Sequence, residues 1–593
     1  MEAQCTDRLL VAAIDFGTTY SGYAFSFRSD FEKDPLKMMA NPVWNSGSSL
    51  SEKTPTCLLL DPDKKLKAFG YEAENQYSQL IEDSEDNDID DRPYEKYYYF
   101  RRFKMLLYNV RGGITRETMI EDETGKKLPA MLVISLSIGY MKDHLKTLIN
   151  KRCIGLEEND IHWIITIPAI WDDSVKQFMR EAAVKSGIKS DQLSFALEPE
   201  AASLYCQLVK VKVAEVDTPG GTDAKKKEFE SAKSGEKYMI LDLGGGTADI
   251  TVHERQVNDS LKEIHEPTGG PWGGTAVDRE FFKFLAQVFG GKVVEKFKRK
   301  CMSDYVDFCR DFEMKKRTIK AETTGKVSLK LPRSFKEIFE ENSNTTVHNA
   351  LSNSEYLEKC RYFSDKLRID ADVLKGFFEV PIKEIVSHVH KLLKKVGRIE
   401  MIMMVGGFSD CELVDKAIRD NFPGIAILNP KDGVLAVLKG AVIYGQNPTA
   451  IVSRVARYTY GYEVWPKFNP KIHPLDKKVS LSGIECCRGV FQHYIRIGTE
   501  IQCGDYITST HRPASEKQND MTINIYTSQQ KDPKYITDPD VRLLGTLKIP
   551  LPVFKPGLSR NIRSRFNFGA TEVIVKAEEA DTGIIHKATF DCL

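Results

Sequence analysis

Two segments of the sequence share one pattern, in which an apolar strand ends at an aspartate and continues through glycine and threonine into a second strand. The first segment is DFGTTY at residues 15–20, and the second is DLGGGT at residues 242–247. Glycines allow a tight hairpin to bring backbone N–H groups against phosphate oxygens, and threonine hydroxyls add donors. An aspartate at each strand end can hold the water shell of Mg²⁺. One such turn is typical of an ordinary hairpin, but the matching pair predicts two hairpins that clamp a nucleoside triphosphate.

Two further glycine elements could contribute to the same chemistry. Residues 268–275 contain Gly273 and Gly274, and an apolar strand at residues 402–405 ends in Gly406 and Gly407. Glycines after a buried strand permit the close approach of a flat nucleoside, but an ordinary loop or strand-to-helix turn needs them equally. The sequence contains no Walker A motif (GxxxxGK followed by Ser or Thr), so this is not a P-loop protein.

A charged helix face is predicted at residues 313–320. The spacing i, i+3, i+4 and i+7 places four charged side chains on one face, and these are Glu313, Lys316, Arg317 and Lys320. A carboxylate with guanidinium and ammonium groups could hold ribose hydroxyls and stack on a base. A solvated charged face explains the same spacing, so the pattern leaves both interpretations open.

An aromatic and basic run, YYYFRRFK at residues 97–104, also has two interpretations. It is similar to a patch that binds single-stranded nucleic acid, or to a buried aromatic cluster with solvated basic tips. The chain has 84 Lys and Arg against 84 Asp and Glu, so its formal net charge is zero. This balance argues against a nucleic-acid or anionic-membrane binder, and we expect no nucleic-acid partner.

The order of predicted elements divides the chain into two regions. Strands alternate with helices up to residue 448, as in the amphipathic helix predicted at residues 382–396, and short β-rich runs follow. The pattern predicts an α/β body at residues 1–448, a linker at 449–457 and an all-β module at 458–593. An acidic run at residues 82–91 and a polar run at residues 216–237 are predicted to be exposed loops.

The sequence shows no targeting or membrane segment. Its first residues lack the basic region and long apolar stretch of a signal peptide, and the longest apolar run, near residues 130–141, is too short to span a bilayer. The 12 cysteines include no CxxC pair and have no histidines at zinc spacing. We therefore expect a cytoplasmic protein with reduced thiols and no membrane span.

These motifs resemble the signatures of the 70 kDa heat-shock protein family, which has the actin-like ATPase fold. The resemblance rests on residues 15–20, 242–247 and 405–407. It continues in the same order through IPA at 167–169, LEPEAA at 197–202 and EMKKR at 313–317. Residues 14–27 and the two polar insertions are more similar to the divergent member-12 branch than to the typical chaperones.

The resemblance implies two lobes, residues 1–237 and 238–448, each with an RNase-H-like core, that close over Mg²⁺ and ATP or ADP. Asp15 and Asp242 would orient the metal through its waters. Lys104 would contact the γ-phosphate, and Glu198 would lie near the attacking water. Phosphates and adenosine would be held by Gly17, Thr18, Thr19, Tyr20, Gly244, Gly245, Gly246, Thr247, Gly273, Gly274, Glu313, Lys316, Arg317, Lys320, Gly406, Gly407 and Asp410. Asp15, Lys104, Glu198, Asp242 and Thr247 would form the catalytic set for phosphoryl transfer to water.

Several departures from the family pattern bear on function. Lys320 stands where the adenosine motif usually ends in serine, and Asp410 stands where an arginine usually stacks on adenine, so nucleotide affinity or base preference should differ. Residues 451–457 are basic, whereas the usual linker is acidic and leucine-rich, which leaves open whether ATP is coupled to the β module. The chain stops at Leu593 without a helical lid, so we expect bound peptide to exchange fast.

The β module resembles a peptide-binding sandwich, whose exposed groove could accept an extended peptide as an added strand. A closed sandwich without a cleft is the alternative. The sequence thus predicts an ATP-binding, weakly hydrolysing, chaperone-like protein that binds unfolded peptide or a signalling protein. A nucleotide-sensing signalling scaffold (a pseudo-ATPase with negligible hydrolysis) is the second hypothesis. A small-molecule kinase of the same fold is less favoured, since such kinases lack this β tail.

Overall fold

The protein is described by a computed structural model of the 593-residue chain. The structure describes residues 8–40, 44–45, 50–86, 93–109, 113–153, 155–209, 211–212, 228–229, 233–430, 432–481, 483–513, 518–551, 561–586 and 589–593.

A six-stranded sheet forms the core of the first half of the α/β body. Its central hairpin joins Leu10–Phe16 to Tyr20–Phe27, and Ile161–Ile167 runs parallel to the first of these strands. Leu10–Phe16 and Ile161–Ile167 are buried along their whole lengths, in keeping with their mostly apolar sequences LVAAIDF and IHWIITI. The other strands of this sheet are Leu193–Leu197, Met39–Ala40 and Thr54–Pro55.

The second half repeats this design in a seven-stranded sheet. Its hairpin joins Lys237–Leu243 to Ala248–Arg255, and Met401–Val405 runs parallel to the first strand. Each half therefore has a tight turn at the end of a buried strand that carries an aspartate near its end; we call these the first glycine turn (residues 17–19) and the second glycine turn (residues 244–247). The other strands of this sheet are Leu261–Gly270, Ala426–Leu428, Ile451–Val455 and Glu500–Gln502.

The helices surround the two sheets. None of the described helices combines the length and apolar character needed to cross a bilayer. The α-helices are Arg28–Phe31, Tyr71–Asp86, Leu106–Asn109, Ala130–Arg152, Asp173–Lys185, Glu198–Leu208, Thr275–Phe289, Gly291–Lys300, Met302–Lys316, Arg333–Ser343, Val347–Ser352, Ala371–Val396, Glu412–Asn421 and Gly433–Gln446.

The two halves are joined by a close crossing of the helices Glu198–Leu208 and Gly433–Gln446. A methyl group added at Gly440 would lie 1.7 Å from the carbonyl oxygen of Ala201, so the two helices touch backbone to backbone. Both helices lie among buried side chains from both central sheets. The crossing therefore fixes the base of the cleft between the halves.

Most of the described strands after residue 458 form two antiparallel sheets, whereas Glu500–Gln502 joins the second central sheet. The inward side chains of the two antiparallel sheets share one apolar core, in which Met521, Ile523 and Ile525 alternate with exposed residues along one strand. The first sheet contains Val490–Ile495, Thr459–Val464, Asp520–Ser528, Arg542–Pro550 and Thr589–Asp591, and the second contains Ile507–His511, Ile562–Asn567, Ile574–Glu579 and Ile585–His586.

Smaller sheets complete the described chain. They contain Cys57–Leu60, Leu66–Phe69 and Tyr98–Arg101; Lys326–Lys330, Lys366–Asp370 and Cys360–Phe363; Met119–Glu121 and Lys127–Pro129; Lys478–Leu481 and Ile484–Cys487; Val211–Lys212 and Glu228–Phe229; and Trp44–Asn45 and Leu50–Ser51.

Three local predictions differ from the structure. The acidic run predicted as a loop from residue 82 instead continues the helix Tyr71–Asp86, because Ala73, Tyr77 and Ile81 bury one face at helical spacing. The helix Met302–Lys316 ends before Lys320, so Lys320 does not share the predicted face. The predicted linker contributes Ile451–Val455 as a strand of the second sheet. Residues 87–92 and most of the polar run at 216–237 lie outside the described residues.

The helix crossing predicts opposite effects for two Gly→Ala substitutions. Gly440→Ala forces a methyl group into the Ala201 backbone, and we expect it to destabilise the protein by at least about 1–3 kcal/mol, as overpacking does. Gly376→Ala, in the helix Ala371–Val396 with nothing near its added methyl group, should be neutral or stabilise by up to about 1 kcal/mol. Thermal and denaturant unfolding of both variants checks this. Equal unfolding midpoints would contradict the backbone contact.

Candidate functional site

The two glycine turns face each other across the cleft. A methyl group added at Gly245 would lie 2.2 Å from Thr19 Oγ1, and one added at Gly246 would lie 2.7 Å from Thr18 Oγ1. At Gly17, an added methyl group would meet the Tyr20 carbonyl oxygen at 2.1 Å. The absence of side chains at these positions therefore lets the two turns pack closely, with the Thr18 and Thr19 side chains against the backbone of the second turn.

Four buried carboxylates lie within electrostatic reach of one another beside these turns; they are Asp15, Glu198, Asp242 and Asp249. Burial raises the pKa of Asp242 well above its ordinary value, and the charges of the other three carboxylates raise it further. The two aspartates that end the matching strands therefore share one site and do not face separate cavities.

Asp15 is held by two donors. Its Oδ1 accepts a hydrogen bond from Thr166 Oγ1 at 3.0 Å, and its Oδ2 accepts one from the Lys53 ammonium at 2.6 Å. Burial favours the neutral form, but Lys53, assisted by Lys104 and Thr166, outweighs it and lowers the pKa of Asp15. Lys53 lies in no recognised motif of the sequence and was therefore absent from the predicted site.

Lys104 and Glu198 form a buried ion pair at the same place. Lys104 Nζ lies 3.0 Å from Glu198 Oε1 and 5.0 Å from the centre of the Trp171 ring. Burial raises the pKa of Glu198 to about 7, although the charge of Lys104 acts in the opposite direction. The structure thus places the Lys104 side chain next to a carboxyl group whose pKa is raised toward neutrality by burial.

Asp249 is a second residue that the sequence analysis left out of the site. It pairs with Asp242 across the second hairpin, and its Oδ1 accepts a hydrogen bond from the Ile170 N–H at 3.3 Å. Its Oδ2 is buried and has no partner among the described residues. Burial raises the pKa of Asp249. The sequence predicts the hairpin that contains both residues. A two-strand register centred on its turn would have placed residue 249 opposite residue 242.

The other glycine elements support the second glycine turn. The N–H groups of Gly273, Gly274 and Thr275 donate to the carbonyl oxygens of Gly246, Gly244 and Gly245 at 2.8–3.2 Å.

Gly406 has a φ of 86°, and a methyl group there would lie 2.6 Å from Asp242 Oδ1. Gly406 therefore allows its turn to pack directly on the Asp242 strand. Gly407 has open space beside it, and Asp410 is exposed.

The charged helix residues are joined to both halves of the cleft. Glu313 pairs with Lys316 at 2.6 Å and with Arg317 at 2.9 Å. Burial favours the neutral form of Glu313, but these cations lower its pKa to about 2. Arg317 also donates to the Tyr20 hydroxyl of the first half at 3.1 Å. Lys320 lies apart, 3.8 Å from Glu412.

The aromatic run at residues 97–104 is largely buried. Phe100 and Phe103 lie in an apolar cluster of the first half, and Tyr99 lies in a cluster that also includes Met302 and Val306 of the second half. The ring faces of these three residues are therefore not free for base stacking. Arg102 pairs with Asp278 of the second half at 2.6 Å. The structure favours the buried aromatic cluster, with its basic side chains paired and not merely solvated.

A polar junction connects this site to the C-terminal sheets. Arg454 forms a buried two-point ion pair with Glu200, with N–O distances of 2.7 and 2.8 Å, and also donates to the Gly569 carbonyl oxygen. Arg457 donates to the carbonyl oxygens of Ile170 and Trp171. The basic linker residues predicted to depart from the family pattern are therefore buried contacts between the body and the β sheets.

Further contacts fasten the C-terminal sheets to the helix Asp173–Lys185. Tyr460 donates to Asp173 at 3.1 Å, and Arg180 pairs with Glu572 at 2.7 Å. Asp173 and Arg180 follow the Ile170–Trp171 segment in the chain, and that segment contacts Asp249 and Lys104. The site and the C-terminal sheets thus share one contact segment.

The lining of the site fits a magnesium nucleotide. Gly245 and Gly246 bring the backbone of the second turn directly against the hydroxyl-bearing side chains of Thr19 and Thr18. Asp249 presents a buried carboxylate oxygen without a hydrogen-bond partner among the described residues, and the lining around the turns is rich in carboxylate oxygens. Mg²⁺ prefers oxygen ligands and retains several waters, so carboxylates can hold it through its hydration shell.

The duplicated hairpin sheets around a common cleft define the class of protein, which is the actin-like ATPase fold. The family model described as "Hsp70 protein" matches residues 12–447. The chain therefore belongs to the Hsp70 family and contains the ATP-binding domain of that family. The family binds ATP and ADP. The predicted family resemblance is confirmed.

Individual relatives agree with this assignment. The chain is 33% identical over 634 residues to heat shock 70 kDa protein 12A of Mus musculus, covering 99% of this chain and 92% of the relative. It is 31% identical over 638 residues to heat shock 70 kDa protein 12B of Homo sapiens, with coverage of 98% and 91%. It is 23% identical over 479 residues to chaperone protein dnaK of Cyanidium caldarium, with coverage of 78% and 62%. The similarity to the member-12 branch thus extends over nearly the full chain.

Proposed function

We propose that the protein is a weak, Mg²⁺-dependent ATP hydrolase whose nucleotide state sets the closure of the two halves and partner binding by the β module at residues 458–593. The observation that carries this proposal is the buried Lys104–Glu198 pair beside Asp15 and Asp242. The pair combines a fixed positive charge, suited to a phosphate oxygen, with a carboxylate suited to accept a proton.

The residues of the site divide the proposed reaction among them. Backbone N–H groups of the glycine turns and the hydroxyls of Thr18 and Thr19 would bind phosphate oxygens. When bound, Mg²⁺ would supply charge compensation for the phosphates, and Asp15 and Asp242 would hold it through water. Lys104 would orient the attacking water. Because the pKa of Glu198 is about 7, its ionised fraction at neutral pH could accept the proton of that water.

Coupling to the β module would run through Ile170 and Trp171. Their backbone contacts Asp249 on one side and Arg457 on the other, and the Trp171 ring lies against Lys104. A shift of Asp249 or Lys104 on nucleotide binding would therefore be passed through Ile170 and Trp171 to Arg457. Arg457 lies two residues after the strand Ile451–Val455, so the shift would also affect that strand. This arrangement supports communication between nucleotide and module.

A partner surface is supported by the hairpin of Lys478–Leu481 and Ile484–Cys487. Leu481 and Ile484 lie opposite each other beside its turn, and both are more than half exposed. Ile472 and Leu475, just before the hairpin, are also exposed. Clustered exposed apolar side chains mark interaction surfaces. We propose an unfolded peptide or a signalling protein as the partner, in chaperone-like activity in the cytoplasm, where the free cysteines of the described chain would stay reduced.

A nucleotide-sensing scaffold with negligible hydrolysis is the second candidate. It is favoured by the buried Arg454–Glu200 pair, which fastens the β sheets to the ATP-binding body in the described conformation. If the β module stays attached to the body in this conformation, it would present the same surface to a partner at all times. Bound nucleotide would then stabilise the protein without being hydrolysed. Hydrolysis measurements separate the two candidates.

Single-turnover release of labelled phosphate tests the proposed hydrolysis. Lys104→Ala and Glu198→Ala should each lower the rate by about 10²-fold or more, the usual size of an acid–base contribution. Lys439→Ala removes a lysine from an outlying ion pair with Asp432 and serves as the matched control. If the wild type binds ATP but releases phosphate no faster than either site variant, the scaffold is the better account.

The same assay has a predicted pH dependence. Glu198 is protonated below its pKa of about 7 and ionised above it, so the wild-type rate should rise with pH and level off above neutrality. Glu198→Gln should remove this rise together with most of the activity. An unchanged profile in that variant would assign the titration to another group.

Arg454 provides the test of the fastened module. Arg454→Ala leaves Glu200 buried without its partner, and we expect a loss of about 3–5 kcal/mol of stability, as for other broken buried pairs. Hydrogen exchange should also accelerate in Ile451–Val455 and around Trp171. Arg333→Ala breaks an exposed ion pair with Glu337 and should change stability by less than about 0.5 kcal/mol. Similar effects of the two variants would show that the junction does not fasten the module.

A further inference from the structure

Lys53 is held at a defined position in the proposed nucleotide site by its contact with Asp15. Its side chain is only 13% exposed, and its ammonium group lies 2.6 Å from Asp15 Oδ2. Asp15 is the residue proposed to hold the metal through water, so Lys53 already supplies a positive charge where the metal's charge would act. Within the described residues, its other ammonium hydrogens have no protein acceptor.

The fold makes room for this lysine. Thr54 and Pro55 pair with Ser21 and Tyr20, which brings Lys53 beside Gly22. Gly22 is the strand partner of Asp15, and a methyl group added to it would lie 3.0 Å from Lys53 Cγ. The absence of a side chain at Gly22 therefore lets the lysine stem reach across the strand to the carboxylate.

The charges of the site explain why a second lysine matters. Lys104 is committed to Glu198, and Lys53 is the cation bound to Asp15. The charge of Lys53 also reaches Asp242 and favours its ionised form. A buried ammonium group with free donors attracts phosphate oxygens as well as carboxylates.

We propose that Lys53 is a resident counter-ion of Asp15 and the nucleotide phosphates, so that the site binds a nucleoside diphosphate with a reduced requirement for a divalent cation. This inference rests on the proposed nucleotide site and adds to it the side chain that sets its metal dependence. The metal remains able to bind, but the protein supplies part of its charge.

The test is the dissociation constant of ADP in excess Mg²⁺ and in excess EDTA, measured by calorimetry. The wild type should bind ADP in EDTA, and Lys53→Met should raise the ratio of the EDTA to the Mg²⁺ dissociation constant at least about tenfold, the size expected for one buried ion pair. Asp15→Asn should have the opposite sign in EDTA, because it frees the ammonium group for phosphate, so that ADP binds more tightly without metal.

Two controls accompany these variants. Lys53→Arg keeps the charge and should keep the wild-type ratio, and Lys439→Met removes a half-buried lysine elsewhere and should also keep it. Thermal unfolding without ligand identifies a variant that fails to fold, and the wild-type and Asp15→Asn measurements in EDTA then decide the question.

The outcomes distinguish failure of the proposed nucleotide site from failure of the proposed role of Lys53. A wild type that binds no ADP in either condition overturns the nucleotide site and this inference together. A wild type that binds ADP only with Mg²⁺, or an unchanged ratio in Lys53→Met, overturns the role of Lys53 and leaves the nucleotide site intact.

Discussion

The burial of four carboxylates between two glycine turns is the constraint on which the rest of the structure depends. Buried charges require partners, and this group has two ammonium groups, Lys53 and Lys104, to balance it. The imbalance appears in the raised pKa values of Glu198, Asp242 and Asp249, which hold protons more readily than free carboxyl groups. A site of this kind gains stability from any cation that enters it, and a metal nucleotide supplies both the cation and the phosphates that the turns can bind.

The fold keeps these groups together by repeating one supersecondary unit. Each half contributes a hairpin and a parallel strand, and the helix crossing at Gly440 holds the halves at a fixed base. Ion pairs such as Arg102–Asp278 close the rim of the same cleft. Because the Ile170–Trp171 segment contacts both Asp249 and the linker residue Arg457, a change at the carboxylates has a direct mechanical path to the C-terminal sheets.

The sequence predicted the features that depend on local pattern. The strands around Asp15 and Asp242, their glycine turns and the helical spacing of Glu313 and Arg317 are all encoded within a few residues. Lys53 and Arg454 could not be predicted, since their meaning comes from Asp15 and Glu200, which lie far away in the sequence. Asp249 lies two residues beyond the recognised motif at 242–247, and only strand register placed it opposite Asp242. The basic character of residues 451–457 left their coupling to the β module open in the sequence, because the carboxylate and carbonyl oxygens that Arg454 and Arg457 contact come from distant parts of the chain.

The most direct measurement of the central claim is the position of one metal ion relative to the two aspartates. Anomalous diffraction from crystals grown with Mn²⁺ and ADP locates the ion without assumptions about activity. The account predicts a single peak in the cleft, linked through waters to both Asp15 and Asp242, with the phosphates between the glycine turns. A peak associated with only one aspartate, or nucleotide bound elsewhere with both turns empty, would contradict it.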